Sequence, residues 1–130
     1  MIKKQFTLYL ENKPGALASV ARRLASKKIN MIGISAAVTP DVGLVQLVAD
    51  HAEAARKALK AAKISYTEQD VLLVGLDNKP GALADVATQI AKAGININYV
   101  YATACDCGCD CRCYAVISAP ALKRVQSLLE

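Results

Sequence analysis

Phe6, Leu8 and Leu10 are apolar at every second position, the period of a strand with one buried face. The period changes after Glu11-Asn12. Leu17, Val20, Ala21 and Leu24 recur at helical spacing behind Pro14, whose missing N–H suits a first helical position, so a helix is predicted over about residues 14–27. Two apolar runs, Asn30 to Thr39 and Leu44 to Ala49, flank the turn signal Thr39-Pro40-Asp41 and read as a hairpin. Ala52, Ala55, Leu59 and Ala62 give a second helical stripe, Ile64 to Thr67 a fourth strand, and the cycle restarts at Asp70.

The restart is a duplication. Asn12-Lys13-Pro14-Gly15-Ala16-Leu17 recurs letter for letter as Asn78-Lys79-Pro80-Gly81-Ala82-Leu83, an offset of 66 positions. Phe6, Leu8 and Leu10 fall on Leu72, Val74 and Leu76, and Ile29-Asn30 on Ile95-Asn96. The register then slips by two, because Leu44 to Val48 aligns best with Arg112 to Val116. A repeat of this length exceeds a solenoid unit and can bury a small core of its own. We therefore expect two domains, residues 1–69 and 70–130. The element order is β-α-β-β-α-β followed by β-α-β-β-α, an α+β chain of two ferredoxin-like βαββαβ repeats with helices on one face of antiparallel sheets. Leu122, Val125 and Leu129 form a last helical stripe, and the second repeat lacks a clear final strand. Its sheet would present an edge for the neighbouring repeat or a second subunit to cover.

Composition narrows the function. Hydrophobic residues make up 54% of the chain and charged ones 21%, ample for a core and unlike a disordered segment. No apolar run approaches the ~20 residues of a membrane span, and Met1-Ile2-Lys3-Lys4-Gln5 is not a signal peptide, so the expectation is a cytoplasmic protein without a membrane partner. The net charge of +5 comes from scattered residues such as Arg22, Arg23, Arg56 and Lys60, without interleaved aromatics, and a nucleic-acid partner is not expected. Catalysis finds no support: His51 is the lone histidine and suits a strand-to-helix junction, and no phosphate loop or nucleophile–base pair is present.

All five cysteines, Cys105, Cys107, Cys109, Cys111 and Cys113, occupy alternate positions around Gly108, in the segment that carries the insertion. Fully extended, neighbouring thiols would lie about 6–7 Å apart, too far for a disulfide. A turn at Gly108 would gather them around a soft ion, with zinc or copper(I) the suitable cofactor and Asp106 and Asp110 as flanking ligands. Redox-dependent disulfides and a chemically inert hairpin tip are the competing readings. A thiolate metal sensor or carrier is thus the alternative function.

The strand, then Asn-Lys-Pro-Gly-Ala-Leu, then a helix, then Ile-Asn and a strand, resembles the ACT domain, a small-molecule regulatory module of βαββαβ fold. The resemblance spans the chain as a tandem pair. The second copy, with Asn96, Ile97 and Asn98 before Tyr99 and Tyr101, is similar to stand-alone tandem ACT proteins described as amino-acid-binding. It implies a non-catalytic regulatory protein with an amino-acid ligand, and the open edge and apolar faces of the sheets lead us to expect a homodimer. The implied sites are Asn12, Lys13, Pro14, Gly15, Ala16 and Leu17 in the first copy and Asn78, Lys79, Pro80, Gly81, Ala82 and Leu83 in the second, with Asn96, Ile97 and Asn98 beside them. The remainder of each pocket is implied to come from the strand after the helix of an adjacent domain, residues 30–34 or 96–100. Physically, a helix opening at Pro-Gly exposes unpaired N–H groups and the positive end of its dipole, where a carboxylate can dock. Asn12 and Asn78 can donate and accept at once, as an α-amino acid requires.

Overall fold

A computed structural model describes residues 1–38, 42–103 and 113–130. The predicted Thr39-Pro40-Asp41 turn and the Gly108 turn lie outside the described residues. The described chain is mixed α+β, with six antiparallel strands and four helices: β1 Ile2–Glu11, α1 Ala16–Ser26, β2 Met31–Val38, β3 Val42–Ala49, α2 Ala52–Ala61, β4 Ser65–Leu76, α3 Ala82–Lys92, β5 Tyr99–Ala102, β6 Cys113–Ser118 and α4 Leu122–Leu129. Two sequence expectations need correction. The predicted fourth strand and the restart at Asp70 are one continuous twelve-residue strand, β4, because Ser65 to Leu76 contains neither Pro nor a turn signal to break it. Helix α1 begins at Ala16 rather than at Pro14, for a reason given below.

Two compact units divide the chain: residues 4–69, and residues 70–130 together with Met1–Lys3. In the first, the strand order is β2-β3-β1-β4. The alternation in β1 sends Phe6 and Leu8 into the core, where both are fully buried beside Val45 and Leu47 of β3, Val20 and Leu24 of α1, and Leu59 of α2. Phe6 also meets the Tyr66 ring edge-on, with centroids 5.8 Å apart. Burying such side chains at roughly 1.5–3 kcal/mol each is what fixes β1 in this register, since a one-residue slip would turn them to the other face.

The opposite face of β1 carries Gln5 and Thr7, both buried, and their polar atoms are paired across the sheet. The Gln5 amide donates to Thr7 Oγ1 at 3.1 Å and to Gln69 Oε1 at 3.4 Å, Thr7 Oγ1 donates to Gln69 Oε1 at 2.7 Å, and the Gln69 amide donates to Thr67 Oγ1 at 2.9 Å. Nearer the surface, Arg56 of α2 grips Glu68 with two bonds of 2.7 and 2.9 Å. The Arg56 hydrogen bond holds the Glu68 carboxyl below the usual carboxylate range.

In the second unit the order is β1-β4-β6-β5, with only the first residues of β1 taking part. Met1 and Leu73 exchange both backbone bonds, at 3.1 and 2.8 Å, so the edge left by the missing final strand is met by the chain's own beginning. Leu72 of β4, Ile90 of α3, Ala115 and Ile117 of β6 and Val125 of α4 form the core. Val71, next to Leu72 and so on the opposite side of β4, is also fully buried. The Arg124 guanidinium of α4 donates to the Ala93 carbonyl at the end of α3, 3.1 Å away.

The buried amide network and the exposed ion pair differ in what they contribute. Gln69→Ala leaves the Thr7 hydroxyl without its acceptor in a buried site, and we expect a loss of about 1–3 kcal/mol. Glu68→Ala should cost clearly less, because its pair is open to solvent and screened by salt. Urea unfolding of the two variants at low and high salt checks the order.

Candidate functional site

The repeated hexapeptide folds identically in both copies. At the end of β1 the Lys13 N–H donates to the Glu11 carbonyl at 2.9 Å, a three-residue turn centred on Asn12. A second turn follows at once, closed by the Ala16 N–H on the Lys13 carbonyl at 3.3 Å. Pro14 and Gly15 are its middle residues, and Gly15 has φ 87° and ψ −11°, the geometry of a type II turn. The second copy repeats both: Lys79 to Asp77 at 2.8 Å, Ala82 to Lys79 at 3.4 Å, and Gly81 at φ 90°, ψ −10°. Pro-Gly therefore builds the turn ahead of the helix, which explains why α1 starts two residues later than Pro14 suggested. A type II turn needs φ > 0 at its third position, and an L side chain there is strained.

The turn leaves donors at the helix start. The first helical bond runs from Ser19 N–H to Gly15 C=O at 2.9 Å, so Leu17 and Ala18 stand ahead of it with no carbonyl behind them in the helix. Asp85 to Gly81, also 2.9 Å, marks the same point in α3. The copies differ here in charge. The first turn of α1 holds no acidic residue, whereas that of α3 holds Asp85, at the position of Ser19. Asp85 places a negative charge near the positive end of the α3 dipole, and α1 has none there.

Charged side chains flank each turn. Lys13 Nζ lies 3.0 Å from Glu11 Oε2, and Lys79 Nζ lies 3.9 Å from Asp77 Oδ2. All four are well exposed, so these pairs contribute little stability and exchange readily with an incoming charge.

In the first unit the turn forms one end of a cleft of about 180 Å³. Glu11, Asn12 and Lys13 line that end, with Ala16 and Leu17 of α1 above. The floor is apolar: Leu10 of β1, Gly43 and Val45 of β3, and Ala36, Ala37 and Val38 at the end of β2. Of the residues predicted for this site, Asn12, Lys13, Ala16 and Leu17 thus come together, while Pro14 and Gly15 shape the turn. Residues 31–34 begin β2, at its other end, with Asn30 just before it, and none of them is part of this cleft. In the second unit Asn78, Lys79, Pro80 and Gly81 are exposed in the matching turn, and Asn96 and Asn98 are exposed either side of half-buried Ile97, just before β5. Tyr99 and Tyr101 stack at 6.4 Å with their planes 6° apart, and burial raises the Tyr101 hydroxyl above its ordinary pKa.

The floor residues were missed by sequence reasoning. The available signal was Gly43, an isolated glycine inside a strand pattern, which leaves a gap in a row of side chains.

Of the cysteines, Cys105, Cys107, Cys109 and Cys111 lie outside the described residues, so the predicted thiolate cluster does too. Cys113 is described: it opens β6 opposite Leu76, is buried and is a free thiol. Among the described residues no group of three His, Cys, Asp or Glu side chains is arranged to hold a metal. His51 caps the start of α2 without a side-chain bond and lies 3.8 Å from Asp50. Among the described residues no helix is long and apolar enough to cross a membrane.

A family model for the ACT domain pair matches residues 1–108. The chain belongs to the ACT domain family. This ACT pair is similar to protein BT0572 from Bacteroides thetaiotaomicron at 30% identity and a TM-score of 0.88, over 99% of this chain and 87% of that one. The ligand-free regulatory subunit of aspartate kinase from Thermus thermophilus shares the fold at 21% identity and a TM-score of 0.66, over 97% and 89% of the two chains. The same subunit from Thermus flavus matches at 21% identity and a TM-score of 0.61, over 99% and 93%. No curated protein matches the chain significantly.

The turn geometry carries a direct prediction. A Cβ at Gly15 or Gly81 would meet no atom within 4 Å, so the cost of alanine there is backbone strain alone. We expect Gly15→Ala and Gly81→Ala each to lose about 1–2 kcal/mol. Gly75→Ala, which also meets nothing within 4 Å and has no positive φ, should be neutral or slightly stabilising. Thermal unfolding of the three variants separates the cases.

Proposed function

We propose that this ACT pair is a non-catalytic regulatory protein that binds an amino acid or similar small carboxylate, with its principal site in the first copy. The observation that carries the reading is the cleft between the Asn12-Lys13 turn and the β1-β3-β2 floor, which pairs an end of mixed charge with an apolar interior. A zwitterion suits that end: its carboxylate can take Lys13 and the α1 N–H groups, and its ammonium can take Glu11 and the Asn12 oxygen. The absence of an acid in the first turn of α1 favours this copy over the second.

Association between chains would pass on the signal. Edge strand β2 reads Met-Ile-Gly-Ile-Ser-Ala-Ala-Val, without a charge or proline to discourage pairing, and Ile34 and Val38 on it are exposed. A homodimer in the cytoplasm is the assembly we infer. Calorimetric titration with the free amino acids at up to millimolar concentration, with light scattering on the same samples, tests both parts. At least one ligand should bind and change or stabilise the dimer, and Lys13→Ala should weaken it on the order of tenfold or more. A silent panel on a monomer would sink this reading.

The cysteine segment supports a second input. With Cys113 buried in β6, the remaining thiols of the odd set number four, Cys105, Cys107, Cys109 and Cys111, the count that a tetrahedral thiolate site takes. Zinc or copper(I) would be the ion. Protein purified under reducing conditions should take up one equivalent per chain, and Cys113→Ala should retain it while Cys109→Ser should not. Elemental analysis showing neither ion bound nor taken up removes this reading.

A further inference from the structure

Along the sequence the basic residues of α1 and α2 lie in separate runs, and the fold sets those runs side by side. Helix α1 returns from β1 to β2 and α2 from β3 to β4, so the two run antiparallel over one sheet face and share one core. Buried Val20 and Leu24 put Arg22 on the outer side of α1, and buried Ala55, Ala58 and Leu59 put Lys57 and Lys60 on the outer side of α2. Arg23, Lys27, Lys28 and Lys63 are exposed as well. Within the two helices Glu53 is the one acidic residue.

The helix ends carry an independent signal. In α1, α2 and α3 alike, the N–H of an isoleucine reaches back to a core residue's carbonyl: Ile29 to Leu24 at 3.0 Å, Ile64 to Leu59 at 3.1 Å and Ile95 to Ile90 at 3.3 Å. The residue before each isoleucine is left-handed. In α3 it is Gly94, φ 73°, the residue type that this conformation favours. In α1 and α2 it is Lys28, φ 58°, and Lys63, φ 56°. Among the described residues only Ala121 shares a positive φ without being glycine. A Cβ at Gly94 would meet nothing within 4 Å, so the motif neither crowds a side chain nor packs one. Lysine at these two positions is therefore a backbone cost without a packing gain. Complementing the helix dipole does not require it either, since α3 closes the same motif with Lys92 alone in its last turn and has Thr88, Gln89 and Ala93 where α1 has Arg22, Arg23 and Lys27.

The surface between the charges narrows the partner. Its exposed positions are Ala18, Ser19, Ala25, Ser26, Ala54 and Ala61, and the one exposed large apolar side chain of the two helices, Leu17, stands at the start of α1. Protein interfaces are depleted in lysine and centre on aromatic or apolar anchors, and interfacial membrane helices bury Trp, Phe or Leu. This surface has no such centre. Single strands call for aromatic stacking platforms, and base edges or ribose hydroxyls call for Asn, Gln or Thr; α1 and α2 contain none of these. Lysine and arginine on a flat apron of small residues match the phosphates of a duplex backbone.

We infer that the outer face of α1 and α2 in the first copy docks on the phosphate backbone of duplex DNA, with Arg22, Lys57 and Lys60 at its centre and Lys28 and Lys63 at its two ends. The linear order of the chain did not suggest this partner. The inference goes beyond the ligand reading and does not depend on it.

The test is fluorescence anisotropy of the full chain with a labelled DNA duplex of about 20 base pairs, between about 50 and 200 mM salt. A face that engages about four phosphates should lose on the order of a hundredfold in affinity over that range. Combining Arg22→Gln, Lys57→Gln and Lys60→Gln should weaken binding at least about tenfold and flatten its salt dependence. Combining Lys79→Gln, Lys92→Gln and Lys123→Gln removes the same charge from the second unit and should leave binding as in the parent. Lys28→Gly with Lys63→Gly should raise the melting temperature yet weaken binding, a pairing that a purely structural role would not produce. Absence of binding at the lower salt, equal weakening by the two triple variants, a Lys28→Gly, Lys63→Gly protein that binds like the parent, or tighter binding to phosphatidylserine–phosphatidylcholine vesicles or to polyglutamate than to the duplex each overturns the inference.

Discussion

One backbone conformation, the left-handed glycine between strand and helix, governs the site. Gly15 at φ 87° lets β1 reverse within two residues, so that α1 starts directly over the sheet it has just left. Without that reversal the helix start would stand away from β3 and β2, and no floor would lie beneath Leu17. The same conformation spends the Ala16 N–H on the turn and leaves the next two donors facing outward. Chain reversal, helix initiation and the donors left ahead of the first helical bond are thus consequences of one dihedral angle. Its recurrence at Gly81 shows that the fold needs the angle in both copies, whatever each copy binds.

Much of the fold was legible because periodicity and repetition agreed. The alternation of Phe6, Leu8 and Leu10 and its echo at Leu72, Val74 and Leu76 placed both core faces, and the Pro-Gly pair placed both helix starts to within two residues. What sequence could not show was long-range pairing. Nothing local announces that Met1 would exchange bonds with Leu73, or that Gln5 and Thr7 would be buried against Gln69. The polar pattern of Gln5 and Thr7 looks like a solvent face, and becomes a buried one only because a neighbouring strand supplies matching acceptors. The cleft was half legible for the same reason. Its turn is a contiguous motif, whereas its floor is assembled from Leu10, Gly43 and Ala36, brought together by register alone.

The duplicated turn offers a comparison within one molecule. Both copies present an Asn-Lys pair, a neighbouring acid and a helix start of the same geometry. These groups are the same in both copies, so they do not distinguish one copy from the other. Asp85 in place of Ser19 does, because it puts a negative charge in the first turn of α3 that the first turn of α1 lacks.

Beyond the turn the copies diverge further. In the internal alignment Gly43 and Val45 correspond to Cys111 and Cys113. Cys113 is buried, as its counterpart Val45 is, which shows that the exchange preserves core packing at that position. Duplication has therefore held the turn and the helix start constant, where the backbone needs a glycine at positive φ, while side chains further along each copy were free to change.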